Sequence, residues 1–152
     1  MGILEASVKI ALEKGNAFGV VTTGSSWIGP LTRAIKEVAS SSKPSEVIGF
    51  EERFSGVEAT DIGVLDFHPV DGGDGAAEKQ DDVEARVGAA TRSLMMRGAD
   101  VIVLGCAGME GMGEAVQKGA STPPKVVDGV TAGVELLIRA LRAVGDGVAR
   151  AA

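Results

Sequence analysis

The sequence predicts a three-layer α/β/α domain on a mainly parallel four-stranded sheet, and three observations carry that reading. Val101-Ile-Val-Leu104 is apolar at every position, as in a strand covered on both faces. Phe18-Gly-Val-Val-Thr22 is a second such run with β-branched residues. Around them lie stretches with apolar residues at helical spacing, giving the order α-βα-βα-βα-βα of a parallel sheet joined by right-handed crossovers.

Met1, Leu4, Val8, Ala11 and Leu12 mark a helix over 2–14, stopped by Gly15-Asn16. The strand at 18–22 runs into Thr23-Gly24-Ser25-Ser26, where either serine suits a helix N-cap. Ile28, Leu31, Ile35 and Val38 supply the next stripe, with Pro30 tolerated in its first turn and Ser40 to Pro44 ending it. Two runs compete between 45 and 70, Val47–Phe50 and Phe54–Thr60, and better turn flanks select a strand at 53–60. Asp71-Gly-Gly-Asp-Gly75 is a loop, after which Val83, Val87, Ala90 and Leu94 predict a long helix ending near Gly98. Beyond the strand at 101–104, Gly105-Cys-Ala-Gly108 is a break, and Met109, Met112 and Val116 predict one short helix. Lys125-Val-Val127 is the fourth strand, and Val130, Val134, Leu137, Leu141 and Val144 form the last helix.

A chain of 152 residues suits one domain and buries enough surface to fold without staples. Apolar residues at 45% and charged residues at 24% exclude a disordered chain. Fifteen basic against twenty-one acidic residues, a net charge of −6, argue against nucleic acid or an anionic membrane as partner. Aromatics at 3% leave little for stacking on bases. One cysteine and one histidine make neither an internal disulfide nor a Cys/His zinc site. No signal-peptide pattern and no apolar run near the ~18 residues of a membrane span is visible, so a cytoplasmic setting is expected.

In parallel sheets ligands sit at the carboxyl ends of strands, which selects Thr22-Thr23-Gly24-Ser25, Gly105-Cys106-Ala107-Gly108 and Asp128-Gly129. Cys106 lies one residue beyond a buried strand and about three before the predicted helix start, a setting that favours thiolate; the competing role is a small buried apolar residue. Thr22, Thr23, Ser25 and Ser26 offer hydroxyls and N–H donors for a carboxylate or carbonyl oxygen, and equally caps for a helix. Asp128 reads as an N-cap, and His68 as an exposed or locally bonded imidazole. Asp71, Asp74, Asp81 and Asp82 fail calcium-loop spacing, and Gly105-x-x-Gly108-x-x-Gly111 is neither a dinucleotide fingerprint nor a Walker loop.

Val101-Ile-Val-Leu-Gly-Cys106-Ala-Gly-Met109, followed by Val126-Val-Asp-Gly-Val130 and a helix, closely resembles the second half of the Asp/Glu/hydantoin racemase superfamily, nearest its hydantoin/allantoin branch. Phe18-Gly-Val-Val-Thr-Thr23 before Trp27 is similar to the opening strand of that domain. The resemblance implies one lobe of a two-lobed fold, spanning residues 1–152: 2–14 as the linking helix, 17–128 as the α/β core, 130–145 as the returning helix. It implies a cofactor-independent carbon-acid enzyme that racemises amino acids or their hydantoin derivatives through two cysteines, one on each face of the α-carbon. Cys106 matches the second of these; Thr22 and Thr23 match the strand end holding a carboxylate or amide; Gly105, Ala107 and Gly108 match the backbone beside the thiol. No other cysteine is present, so the first lobe's thiol has no counterpart and lies, by this resemblance, before Met1. Either a second copy of the chain or another chain supplying that lobe is the expected partner. The alternatives are a non-catalytic binding or assembly domain, and a single-cysteine decarboxylase-like enzyme.

Overall fold

The computed structural model describes residues 2–41, 49–67 and 76–150. Helix α1 (Ile3–Lys14) leads into β1 (Phe18–Thr22), a 3-10 turn at Ser25–Trp27, and α2 (Ile28–Ser41). A single-turn helix α3 (Phe50–Arg53) precedes β2 (Phe54–Ala59), a 3-10 turn at Val64–Phe67 and the long α4 (Ala76–Met96). Then come β3 (Val101–Leu104), a 3-10 turn at Ala107–Met109, α5 (Gly113–Lys118), β4 (Lys125–Asp128) and α6 (Gly129–Arg150). The strand predicted at 53–60 is β2; of the competing run at 47–50, Phe50 opens α3 and Val47 and Ile48 lie outside the described residues.

All neighbouring strands are parallel, in the order β2-β1-β3-β4. Phe18 pairs with both Phe54 and Val101, and Leu104 with both Val21 and Asp128, so the carboxyl ends of all four strands finish at one edge. The chain steps outward from β1 to β2 on one side and from β3 to β4 on the other, which places the topological switch point between β1 and β3.

β1 and β3 are buried at every position because helices cover both faces of the sheet. On one face Val8, Ile10 and Ala11 of α1, Ile35 of α2 and Ala132 of α6 pack with Phe18, Val20, Val101 and Val103. Three of the four phenylalanines, Phe18, Phe50 and Phe54, gather at its amino end with ring centroids 5.3–6.1 Å apart. On the other face Val83, Val87, Ala90 and Leu94 of α4 join Ala115 and Val116 of α5 against Val21, Ile102 and Leu104. Each large side chain so buried is worth about 1.5–3 kcal/mol of transfer free energy.

One expectation about the elements needs correction. Met109, Met112 and Val116 are buried, but they do not share one helix: Gly111 takes φ 86, a left-handed geometry that breaks the chain into a 3-10 turn and then α5. In α6 the stripe Val130, Val134, Leu137, Leu141 and Val144 is 41–66% exposed. The helix docks through its opposite side, where Ala132 is buried, Leu136 is half-buried and Arg139 bridges Glu13 of α1 at 2.7 Å.

Candidate functional site

The site begins with the geometry of the carboxyl edge. Gly105 donates its N–H to Val21 O at 2.7 Å, which carries the β1–β3 ladder one residue beyond β3 before the chain turns. A side chain at Gly105 would start 2.7 Å from Val20 Cγ1 and 3.0 Å from Val21 O, so only glycine lets the two backbones lie this close. Cys106 follows in extended conformation, and its carbonyl accepts the Met109 N–H at 3.0 Å to close the 3-10 turn. The helix expected about three residues later does not begin there; a single turn starts at Ala107 and α5 only at Gly113.

Cys106 is half-buried. It packs against the α4/α5 cluster on one side and lines a cavity of about 200 Å³ on the other. Gly105 and Ala107 line the same cavity, with Ile3, Leu4 and Ser7 of α1, Leu31 of α2 and Val130 of α6. The walls are therefore apolar, and the polar groups are the thiol and backbone of the turn together with Ser7, whose hydroxyl is committed to Ile3 O at 2.8 Å. Gly108 sits behind the thiol: a Cβ there would be 3.7 Å from Cys106 Sγ and 2.6 Å from Val64 Cγ1, so the Val64–Phe67 turn closes against the cysteine turn.

Thr22 and Thr23 occupy the neighbouring strand end, buried beneath the edge rather than in the cavity wall. Thr22 Cβ is 3.5 Å from the point where a Gly105 side chain would start, so the two segments touch at the switch point. Their carbonyls are held from β2: Thr60 donates its N–H to Thr22 O at 2.9 Å, and its hydroxyl lies 3.1 Å from Thr23 O. Asp61, the next residue, has φ 53 and accepts the Ser25 N–H at 2.8 Å. That carboxylate does what Ser25 or Ser26 was expected to do as a cap; the turn at 25–27 has Gly24 before it and no side-chain cap. Thr60 and Asp61 were not among the sequence candidates, although the strand-end rule applied to the strand at 53–60 points to them. Asp128 accepts the Thr131 N–H at 2.8 Å, the N-cap role expected of it. His68, Asp71 and Asp74 lie outside the described residues; Asp82 pairs with Arg86 on α4. Among the described residues no group of three or more His, Cys, Asp or Glu side chains could hold a metal ion, and no helix is long and apolar enough to cross a membrane.

A cysteine at a parallel-sheet switch point, beside a glycine turn that replaces side chains with backbone, is the arrangement to which known proteins can be compared. The model of the Asp/Glu/Hydantoin racemase family matches residues 1–137. The chain belongs to the Asp/Glu/hydantoin racemase family. It is 32% identical over 142 residues to an uncharacterised protein of Schizosaccharomyces pombe, covering 93% of this chain and 52% of that one. It is 30% identical over 135 residues to a hydantoin racemase of a Pseudomonas species, covering 89% of this chain and 46% of that one. Two solved structures superpose on it at 28% identity: allantoin racemase from Pseudomonas fluorescens, TM-score 0.68 over 93% of this chain and 52% of that one, and allantoin racemase from Klebsiella pneumoniae, TM-score 0.65 over 95% and 51%. The racemase-family chain described here thus spans about half the length of the relatives it matches.

Proposed function

We propose that this chain carries one thiol of a cofactor-independent racemase-type site, and that Cys106 exchanges the proton on a carbon next to a carbonyl in a hydantoin, allantoin or amino-acid-like molecule. The observation that carries the reading is the position of Cys106: half-buried, at the switch point, open to a cavity and flanked by Gly105 and Gly108. A thiolate in that position removes the α-proton, and the electron pair left on carbon delocalises onto the carbonyl oxygen. The developing negative charge is met by backbone N–H donors of the turn that follows Gly105, whose own N–H is held by Val21 O. Thr22 and Thr23, buried beside the Gly105 turn and outside the cavity lining, support that turn from the neighbouring strand end rather than touching the substrate.

Inversion by two acid/base groups needs a second one on the opposite face of the carbon, and the chain has a single cysteine. One thiol alone returns the proton to the face it left. The expected activity of the isolated chain is therefore isotope exchange without racemisation. Incubated in D₂O with single enantiomers of 5-substituted hydantoins and of allantoin, the protein should wash the α-proton out faster than Cys106→Ser does, with retained configuration. Equal rates for wild type and Cys106→Ser across that panel would sink the reading and leave a binding or assembly domain.

A further inference from the structure

β2 pairs with β1 and not with β3, yet the segment that leaves it reaches the cysteine turn at the end of β3. It crosses the end of β1 on the way. Thr60 donates to Thr22 O and Thr23 O, and Asp61 accepts the Ser25 N–H. Ile62 and Phe67 are then buried in the same cluster as Met109, against which Cys106 packs. Between those two anchors the chain turns, Asp66 donating its N–H to Gly63 O at 2.9 Å, and the turn delivers Val64 to Gly108.

Gly108 is a matter of space rather than of backbone geometry, since its φ lies outside the left-handed region. A Cβ there would lie 2.6 Å from Val64 Cγ1 and 3.7 Å from Cys106 Sγ. The Val64 methyl thus fills the space that a Gly108 side chain would take, and the sulfur lies beside that same space. A cysteine has three staggered χ1 positions, and the neighbours that exclude two of them select the third. On its other sides Cys106 packs against the α4/α5 cluster and lines the cavity.

We infer that Val64 is a positioning residue for the Cys106 thiol: its methyl closes the space beside Gly108 and keeps the sulfur in the one rotamer that serves the cavity. Its β-branched side chain is stiff, and the buried residues on both sides of the turn hold it in place. The part it plays in the reaction rests on the proton-exchange reading of Cys106; the packing contact does not.

The Hα–Hβ three-bond couplings of Cys106 in the isotopically labelled chain, measured beside α-proton exchange of 5-substituted hydantoins in D₂O, test it. Wild type should show the couplings of a single staggered rotamer, and Val64→Ala those of an average over rotamers. Exchange by Val64→Ala should be about 10- to 100-fold slower in kcat with KM changed by less than about twofold, as loss of alignment without loss of binding requires. Val64→Ile, which restores the branched methyl, should recover both readings. Leu65→Ala, in the same turn but 88% exposed, should match wild type in both. Val64 is itself 48% exposed, so its truncation should leave the protein folded, as the urea midpoint checks. Averaged couplings in wild type, or single-rotamer couplings in Val64→Ala, overturn the inference. Averaging in Leu65→Ala equal to that in Val64→Ala overturns it by assigning the effect to the whole turn, and averaging in Val64→Ala with an unchanged exchange rate overturns it by removing the link to reaction. Averaging in Val64→Ala alone, in a protein that exchanges no substrate even as wild type, would support the packing contact and count against the proton-exchange reading.

Discussion

The tightest constraint at the site is a missing side chain. Gly105 has ordinary extended backbone neighbours, yet its Cα faces Val20, which is fully buried and has nowhere to retreat. Gly105→Ala should therefore cost about 1–3 kcal/mol of stability, the usual price of forcing a methyl group into a packed core. Gly29→Ala is the matched control: nothing lies within 4 Å of its Cβ position in the first turn of α2, and removing glycine from a helix should stabilise by up to about 1 kcal/mol. Urea midpoints for the two variants should move in opposite directions. If both fall together, the close approach at Gly105 is not what limits that position. Cys106 and Gly105 were legible because both obey a short-range rule, a polar or glycine residue just past a continuous apolar strand. Thr60 and Asp61 were not selected because their part depends on which strand lies beside β1. The 2.9 Å bond from Thr60 N to Thr22 O and the 2.8 Å bond from Ser25 N to Asp61 join segments more than 30 residues apart in the sequence.

Elements were read well where periodicity and backbone geometry coincide and poorly where they part. α4 shows the first case, with Val83, Val87, Ala90 and Leu94 forming the predicted stripe against the sheet. Thr91 lies on the same helix between Val87 and Leu94, fully buried, and its hydroxyl finds no hydrogen-bond partner among the described residues. An unpaired buried hydroxyl carries a desolvation penalty that valine, of nearly the same shape, does not. Thr91→Val should raise stability by about 1 kcal/mol, visible as a higher urea midpoint with an unchanged slope. A loss instead would show that the hydroxyl is satisfied, for example by an internal water. The second case is the segment from 107 to 118, where spacing alone suggested continuous helix. Its methionines and Val116 reach the core, but the left-handed Gly111 interrupts the backbone, and a dihedral angle leaves no trace in hydrophobic pattern. α6 forms where its stripe predicts, and the stripe is exposed, since an apolar pattern states that a surface is to be covered without saying whether the same domain covers it.

At the scale of the whole molecule, strand order is the quantity periodicity cannot supply, and it is fixed partly by polar braces at the amino edge of the sheet. Asp100 is the main one. Its carboxylate accepts the N–H groups of Asn16 at 2.9 and 3.0 Å and of Ala17 at 2.9 Å, and the Asn16 side-chain amide at 3.2 Å. Its own N–H returns to Ala17 O at 2.9 Å, while its carbonyl accepts Lys125 N–H at 3.0 Å. One residue thus ties the end of α1, the start of β1 and the start of β4 to β3. Arg53 completes the edge, with its guanidinium on Leu12 O and Gly15 O at 2.6 Å and Asn16 O at 2.8 Å. Burial pushes the Asp100 carboxyl up, but the donated bonds from Asn16 and Ala17 outweigh it and hold the pKa below the ordinary aspartate value. A carboxyl whose pKa is lower folded than unfolded binds fewer protons in the folded state, so it adds stability above the unfolded value of about 3.9. That contribution is lost as pH falls through the lower, folded value. Asp100→Asn should therefore be less stable than wild type by about 1–2 kcal/mol at neutral pH. The gap should narrow steadily below about pH 4, where wild type itself loses the charge. Urea melts of both proteins between neutral and strongly acidic pH measure it. A difference that stays constant across that range would mean that Asp100 acts through shape and hydrogen bonding alone, with no contribution from its ionisation.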